Sequence, residues 1–192
     1  MKSVKLLLVA AMALAVTARA EQTFELDKTH TTIGFAISHL VISEVEGRFN
    51  DFEGAIQLAD DNTVTGAKAT IQAKSIDTGV AKRDEHLRSP DFFNAEQHPT
   101  ITFASKKVEK NGDKLVMVGE FTMHGVTKEI RIPFTVSGPI KDPWGMTRIG
   151  FKGETTINRK DYGLTYNKVL ETGGLAVGEE VKISLKGEAV KK

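Results

Sequence analysis

Strict alternation of apolar and polar residues, sustained along most of the chain, restricts it to β-strands with one buried face. Thr32 to His39 places Ile33, Phe35, Ile37 and His39 on one face and Thr32, Gly34, Ala36 and Ser38 on the other. Ala67 to Ser75 sets Ala67, Ala69, Ile71 and Ala73 against Lys68, Thr70, Gln72 and Lys74. Leu115, Met117, Gly119, Phe121 and Met123 share a face, as do Ile130, Ile132, Phe134 and Val136. Ile149, Phe151, Gly153, Thr155 and Ile157 follow, and Val181, Ile183 and Leu185 close the series.

Turn chemistry separates these runs. Asp60-Asp61-Asn62, Asn111-Gly112, His124-Gly125 and Asp142-Pro143-Trp144-Gly145 each stand between two strand-like stretches. Asn-Gly supplies the positive φ angles of a tight hairpin, and Pro143 presets the first corner of a turn that Gly145 closes. Such short gaps make neighbouring strands antiparallel, because parallel pairs need long crossovers. About eight strands at hairpin spacing predict an all-β antiparallel sandwich or closed barrel. No repeat or linker interrupts the series, so the 192 residues form one domain from about residue 21 onward.

The first twenty residues stand apart. Lys2 and Lys5 precede an apolar run from Leu6 to Val16, and Ala18-Arg19-Ala20 matches a small-x-small cleavage site. This is the layout of a secretory leader cut after Ala20, and the apolar run is too short to span a bilayer. Losing Lys2, Lys5 and Arg19 takes the formal net charge from +1 to −2. That balance gives no reason to expect nucleic acid or an anionic membrane surface as partner. Absence of cysteine excludes a disulfide scaffold, thiol chemistry and an acylated N-terminus. A mature chain free in the periplasm is the expectation.

Two long segments do not alternate, Asp77 to Pro99 and Tyr162 to Glu180. The second holds Gly163, Gly173, Gly174 and Gly178 and reads as a wide loop of the kind that often serves function. Within the first, Lys82 to Phe93 concentrates charge, a histidine and two adjacent phenylalanines. Asp77 or Thr78 is placed to cap a helix from about Val80 to Arg88, which Pro90 ends. Ser89-Pro90-Asp91 then reads as the start of a second short helical turn.

Chemistry-bearing residues are sparse. His30, His39, His86, His98 and His124 show no close ligand spacing, so no metal site is expected. His124 reads as a turn residue and His98 as exposed, while His39 continues an apolar face to a strand end. Arg83, Asp84 and His86 are close in sequence, but adjacent and alternate helical positions do not face one another. Glu44, Glu46 and Glu53 are carboxylate partners only if the fold gathers them. No nucleophile elbow, phosphate loop or glycine fingerprint is present. Ten phenylalanines against two tyrosines and one tryptophan supply a large interior without polar handles. A closed eight-stranded sheet is either filled by such side chains or holds one small apolar ligand.

Several motifs, in order, run through nearly the whole chain: Asp27-x-x-His30-x-x-Ile33-x-Phe35-x-Ile37-x-His39, Gly47-x-Phe49-x-x-Phe52-x-Gly54, Ser75-Ile76-Asp77-Thr78 and Arg83-Asp84-x-His86-Leu87-Arg88-Ser89-x-Asp91-Phe92. Pro99-x-Ile101-x-Phe103, Gly125-Val126-Thr127-Lys128, Asp142-Pro143-Trp144-Gly145 and Arg148-x-Gly150-Phe151 complete the set. On these residues the chain resembles the YceI-like family of exported polyisoprenoid-binding, lipocalin-like proteins. The resemblance implies an eight-stranded antiparallel barrel with a helical insertion near its open end. It further implies a bound polyisoprenoid lipid, such as the tail of an isoprenoid quinone or polyprenyl carrier, and no other cofactor. Alternation then assigns Ile33, Phe35, Ile37, Phe49, Phe52, Leu87, Phe92, Phe93, Phe103, Phe121, Met123, Phe151 and Ile157 to the lumen. His39, Arg83, Asp84 and His86 are expected at its polar mouth. Two other readings stay open: an enzyme built on those four mouth residues, and a packed barrel that docks a protein. Monomer and homodimer are equally compatible with the sequence.

Overall fold

A computed structural model describes residues 21–111, 114–171 and 173–192. The expected leader and Gly112 of the Asn111-Gly112 turn lie outside the described residues. In chain order the strands are β1 (Glu21–Leu26), β2 (Thr32–His39), β3 (Ser43–Phe49), β4 (Phe52–Ala59), β5 (Val64–Gln72) and β6 (Ile76–Asp77). Helix α1 (Ala81–Arg88) follows, then β7 (Thr100–Asn111), β8 (Lys114–Met123), β9 (Val126–Lys141), β10 (Thr147–Asn158) and β11 (Val177–Lys191).

All pairings are antiparallel, and β1–β4–β5–β7–β8–β9–β10–β11 closes on itself through a β1–β11 contact. β1 and β2, β3 and β4, and β5 and β6 are consecutive pieces of three broken staves. The result is a closed eight-stranded antiparallel barrel, as the alternation and turn spacing predict. Cross-strand register carries the inward faces. Ile33 sits opposite Leu185 and Phe49, Phe35 opposite Ile183 and Gly47, and Ile37 opposite Val181 and Val45. Gly47 leaves room for the Phe35 ring, which a Cβ there would overlap. A Cβ on Gly119 would likewise fall 2.7 Å from the Phe103 ring.

Several local expectations need correcting. The alternation of Ala67 to Ser75 ends at Gln72, and Ala73–Ser75 forms a single 3₁₀ turn. Its Ala73 amide donates to Pro99 and its Ser75 hydroxyl to Gln72 O, so local bonds replace the ladder. Helix α1 has Val80 at its N-cap and no side-chain cap; Asp77 instead accepts from Gly79 N, Asn50 and Arg48. Ser89 and Pro90 start a single hydrogen-bonded turn, Phe92 N donating to Ser89 O, and no second helix follows before β7. The chain folds back onto α1, with Phe93 N donating to Leu87 O and Ala95 N to Arg88 O. The glycine-rich segment is also shorter than its sequence suggests. A 3₁₀ turn occupies Arg159–Tyr162, and β11 already begins at Val177.

One end of the barrel is filled and sealed. Phe24, Leu58 and Ile149 are almost wholly buried there. Above them Arg148 donates to Asp142 at 2.7 Å, to Asp27 at 2.7 Å and to Glu188 at 3.2 Å. Asp27 also accepts from Thr29 and bonds His30 at 2.9 Å. Asp27, His30 and Glu188 place ligand atoms within 4.8 Å of one another, a grouping that local spacing does not reveal. The guanidinium of Arg148 supplies the positive charge at that point. Bonds from Thr29, Arg148 and His30 hold the Asp27 carboxyl far below the usual carboxylate range.

A carboxylate whose folded pKa is depressed contributes stability above its unfolded pKa and loses it as pH falls. Asp27→Asn is therefore expected to cost about 1–2 kcal/mol at pH 7, moderated by partial solvent contact. The gap between its urea midpoint and that of the parent should begin to narrow only below about pH 4, where the unfolded carboxyl takes up its proton. It should close only as pH falls through the far lower folded pKa. A gap that does not narrow at all between about pH 5 and pH 2 would remove the charge from this account.

Candidate functional site

The barrel interior contains two apolar chambers in series. The lower one has a cavity volume of about 120 Å³ and owes its space to Ala55, Ala67, Ala69 and Gly153. Phe103, Met117, Phe134 and Phe151 form its broader walls. The upper chamber, of about 110 Å³, lies between Phe35, Ile37, Phe49, Met123 and Ile157 on the strands and Leu87, Phe92 and Phe93 on the cap. Ile33, Ile71, Phe121 and Ile183 line both and form the waist. The hollow alternative, which sequence alone leaves open, is thus the observed one.

Twelve of the thirteen lumen residues expected from alternation lie on these walls: Ile33, Phe35, Ile37, Phe49, Leu87, Phe92, Phe93, Phe103, Phe121, Met123, Phe151 and Ile157. Phe52 is the exception. It is buried in the upper core cluster opposite Ile71, but lines neither chamber. It shares the inward face of Ile71, but its ring packs into the core without reaching either chamber.

The cap closes the upper chamber through side chains whose partners are local. Asp84, only 7% exposed, accepts from Thr78 N at 2.9 Å and Thr78 Oγ1 at 2.6 Å. Arg83 donates Nε to Thr78 Oγ1 at 2.7 Å and Nη2 to Thr78 O at 2.9 Å. His86 bonds Asp91 at 2.9 Å and packs edge-on to Phe92 and Tyr166. Arg88 reaches Lys74 O at 3.2 Å. His39 ends β2, paired with Ser43 and Val177. Among the described residues no hydrogen bond joins its side chain to Arg83, Asp84 or His86. The four expected mouth residues therefore form a clasp, a stacked pair and a strand end rather than one cluster. Glu44, Glu46 and Glu53 are all exposed.

Three features escape sequence reasoning. Arg159, 3% exposed, lines the upper chamber and donates to Gly178 O at 2.7 Å, Leu164 O at 2.5 Å and Val177 O at 3.5 Å. It thereby ties both ends of the loop 163–176 to the barrel. Burial lowers its pKa, with Glu179 acting in the other direction. Tyr162 is equally buried, edge-on to Phe121, and burial pushes its hydroxyl pKa up. His98 is half-buried rather than exposed; its ring lies 4.5 Å from that of His124, which occupies the expected left-handed turn position at φ 53. Nothing in an arginine followed by lysine announces burial, and the two histidines are distant in sequence.

The clasp on Thr78 makes a direct test. Asp84→Ala leaves two half-buried donors of Thr78 without that acceptor, at about 1–2 kcal/mol. A domain of this size should lose about 2–4 °C of Tm for each kcal/mol. Amide exchange should quicken first in α1; acceleration spread evenly over the barrel would mean that the clasp does not act on the cap alone.

Comparison with known proteins places this geometry. A family model for the YceI-like domain matches residues 24–189. A UPF0312 protein of Pseudomonas aeruginosa is 40% identical over 167 residues, covering 85% of each chain. The solved YCEI protein of Campylobacter jejuni superposes with a TM-score of 0.69 at 34% identity, over 87% of this chain and 96% of that one. A structure described as a polyisoprenoid binding domain, from Saccharophagus degradans, shares the fold at a TM-score of 0.67 and 19% identity, over 88% and 98%. The chain belongs to the YceI-like family.

Proposed function

We propose that this protein holds a long polyisoprenoid chain, the tail of an isoprenoid quinone or polyprenyl carrier, in its two chambers for transport or storage. The carrying observation is the pair of apolar chambers, sharing the wall residues Ile33, Ile71, Phe121 and Ile183, that begins under the cap and ends at a sealed floor. An amphiphile fits it tail first, with its head near the cap. Each buried methylene is worth about 0.8 kcal/mol, so a long hydrocarbon gains affinity without directed hydrogen bonds. The polar groups available at the head end are few: Arg159 within the upper chamber, and His86 and Tyr166 above Phe92. Such sparse polar contacts suit a binding pocket whose walls select for shape.

The printed description of the Saccharophagus degradans structure names polyisoprenoid binding for that protein, and the shared fold supports the same class here. The leader-like N-terminus supports export to the periplasm, where a lipid tail needs a carrier through water. An enzyme built on the mouth residues is disfavoured, because Arg83 and Asp84 are both spent on Thr78.

Native mass spectrometry of protein purified from its own host, with lipid extraction, tests this reading. A co-purifying prenyl lipid is expected. Ala69→Phe should fill the lower chamber and reduce retained lipid at least tenfold while the fold stays intact by circular dichroism. Protein that is empty as purified and that also refuses added polyprenyl lipids would end the proposal.

A further inference from the structure

The cap end carries an exposed apolar surface that the lumen does not use. Leu40, Val41 and Ile42 form the tip of the β2–β3 hairpin, with Val41 70% and Ile42 85% exposed. Leu40 and Val41 both adopt left-handed φ, 53° and 66°. For a β-branched valine that is an outlier, and Asn or Gly would fill the position without strain. The tip is joined to a second apolar loop. Leu40 N donates to Ala176 O at 2.8 Å, a Cβ on Gly174 would lie 3.2 Å from Val41 Cγ2, and Val169 in that loop is 76% exposed.

This surface adjoins the way into the upper chamber. Ile37 and Val177, just behind the tip, are chamber walls. β3 pairs with β6 only at Arg48 and Phe49, so the edge of Ser43 to Gly47 that faces away from β2 has no strand neighbour among the described residues. The cap segment stands there instead, touching β3 through the edge-on contact of Phe93 with Phe49. An exposed apolar patch, an unpaired stretch of wall and a movable cap thus meet at one end. The opposite end is sealed by Phe24, Leu58, Ile149 and the Arg148 network.

We infer that the hairpin tip and the Val169 loop dock the barrel on the surface of a lipid bilayer, so that an apolar chain passes between bilayer and upper chamber without crossing water. This rests on reading the lumen as the site of such a chain, whose own solvent is the bilayer. Between His39 and Ser43 there is no acid, lysine or arginine, and the Val169 loop adds one exposed charge of each sign, Lys168 and Glu171, so the surface gains no net charge. Attachment therefore depends on insertion of apolar side chains and not on anionic headgroups, and it resists screening by salt.

Flotation with phosphatidylcholine vesicles tests the docking, using the full chain as purified from its host. Wild-type protein should float with the vesicles, with less than a twofold change between 0.1 and 0.5 M KCl. The double variant Val41→Asp with Ile42→Asp should partition at least tenfold less, and aspartate tolerates the left-handed position. Trp144→Ala, which removes an 82% exposed apolar side chain at the sealed end, should float like wild type. Native mass spectrometry of detergent-loaded protein should show the double variant still retaining polyprenyl lipid. Retention without flotation of the wild type would overturn the docking while leaving the lumen reading intact. Undiminished flotation of the double variant, loss of flotation in Trp144→Ala, or a tip-dependent dimer by light scattering would each overturn it as well.

Discussion

Closure of the sheet rests on a seam between β11 and the first two strands. β11 pairs along one edge with β10 and along the other with β2, then with β1. To serve both, the chain between β1 and β2 must step aside at Asp27–Thr31 without losing its bonds. Glu188 O accepts from Asp27 N at 2.9 Å and from Thr31 Oγ1 at 3.1 Å, which bridges the step. Gly187 is required beside it, since a Cβ there would fall 2.6 Å from Thr31 Cα. With that seam made, the first and last staves are joined and the barrel can exclude water from its lumen.

An eight-stranded barrel encloses about the volume its own side chains fill, so a cavity has to be made by withholding bulk. Here the withholding is local. Ala55, Ala67, Ala69 and Gly153 thin the wall of the lower chamber, while Gly47 and Gly119 let the Phe35 and Phe103 rings lie flat against the sheet. Below them Phe24, Leu58 and Ile149 return to full packing. The same alternation therefore produces a packed floor and a hollow middle, depending only on residue size at inward positions.

That distinction explains what was legible in the amino-acid sequence. Period-two patterning and turn residues identify the strands, the closed all-β class and twelve lumen positions, because side-chain facing is a local property. Whether alanines at positions 55, 67 and 69 leave space is not local; it depends on what stands across the barrel. Phe52 faces inward with Ile71 yet lines neither chamber, because facing alone does not say which inward side chains border a void. Arg83, Asp84 and His86 were legible as a group, but not their partners: Thr78 and Asp91 satisfy them within the cap. Arg159 was invisible, since its burial is set by the three carbonyls of a loop that returns to it from as far as Gly178.

The two ends differ in how they are held, and the difference suits one to open. At the sealed end Arg148 joins two strands, a hairpin turn and the β1 terminus through three carboxylates, on long strands that must separate together. At the other end an eight-residue helix without a side-chain N-cap is held by one threonine clasp, an Arg88 contact and aromatic packing. An isolated helix of that length has little stability of its own. Its opening breaks few bonds and exposes mainly residues that already face a cavity. Local opening free energies range from near zero to the global value, and segments of this construction fall at the low end. The cap is thus the part of the barrel able to move while the staves stay paired, and it covers the upper chamber.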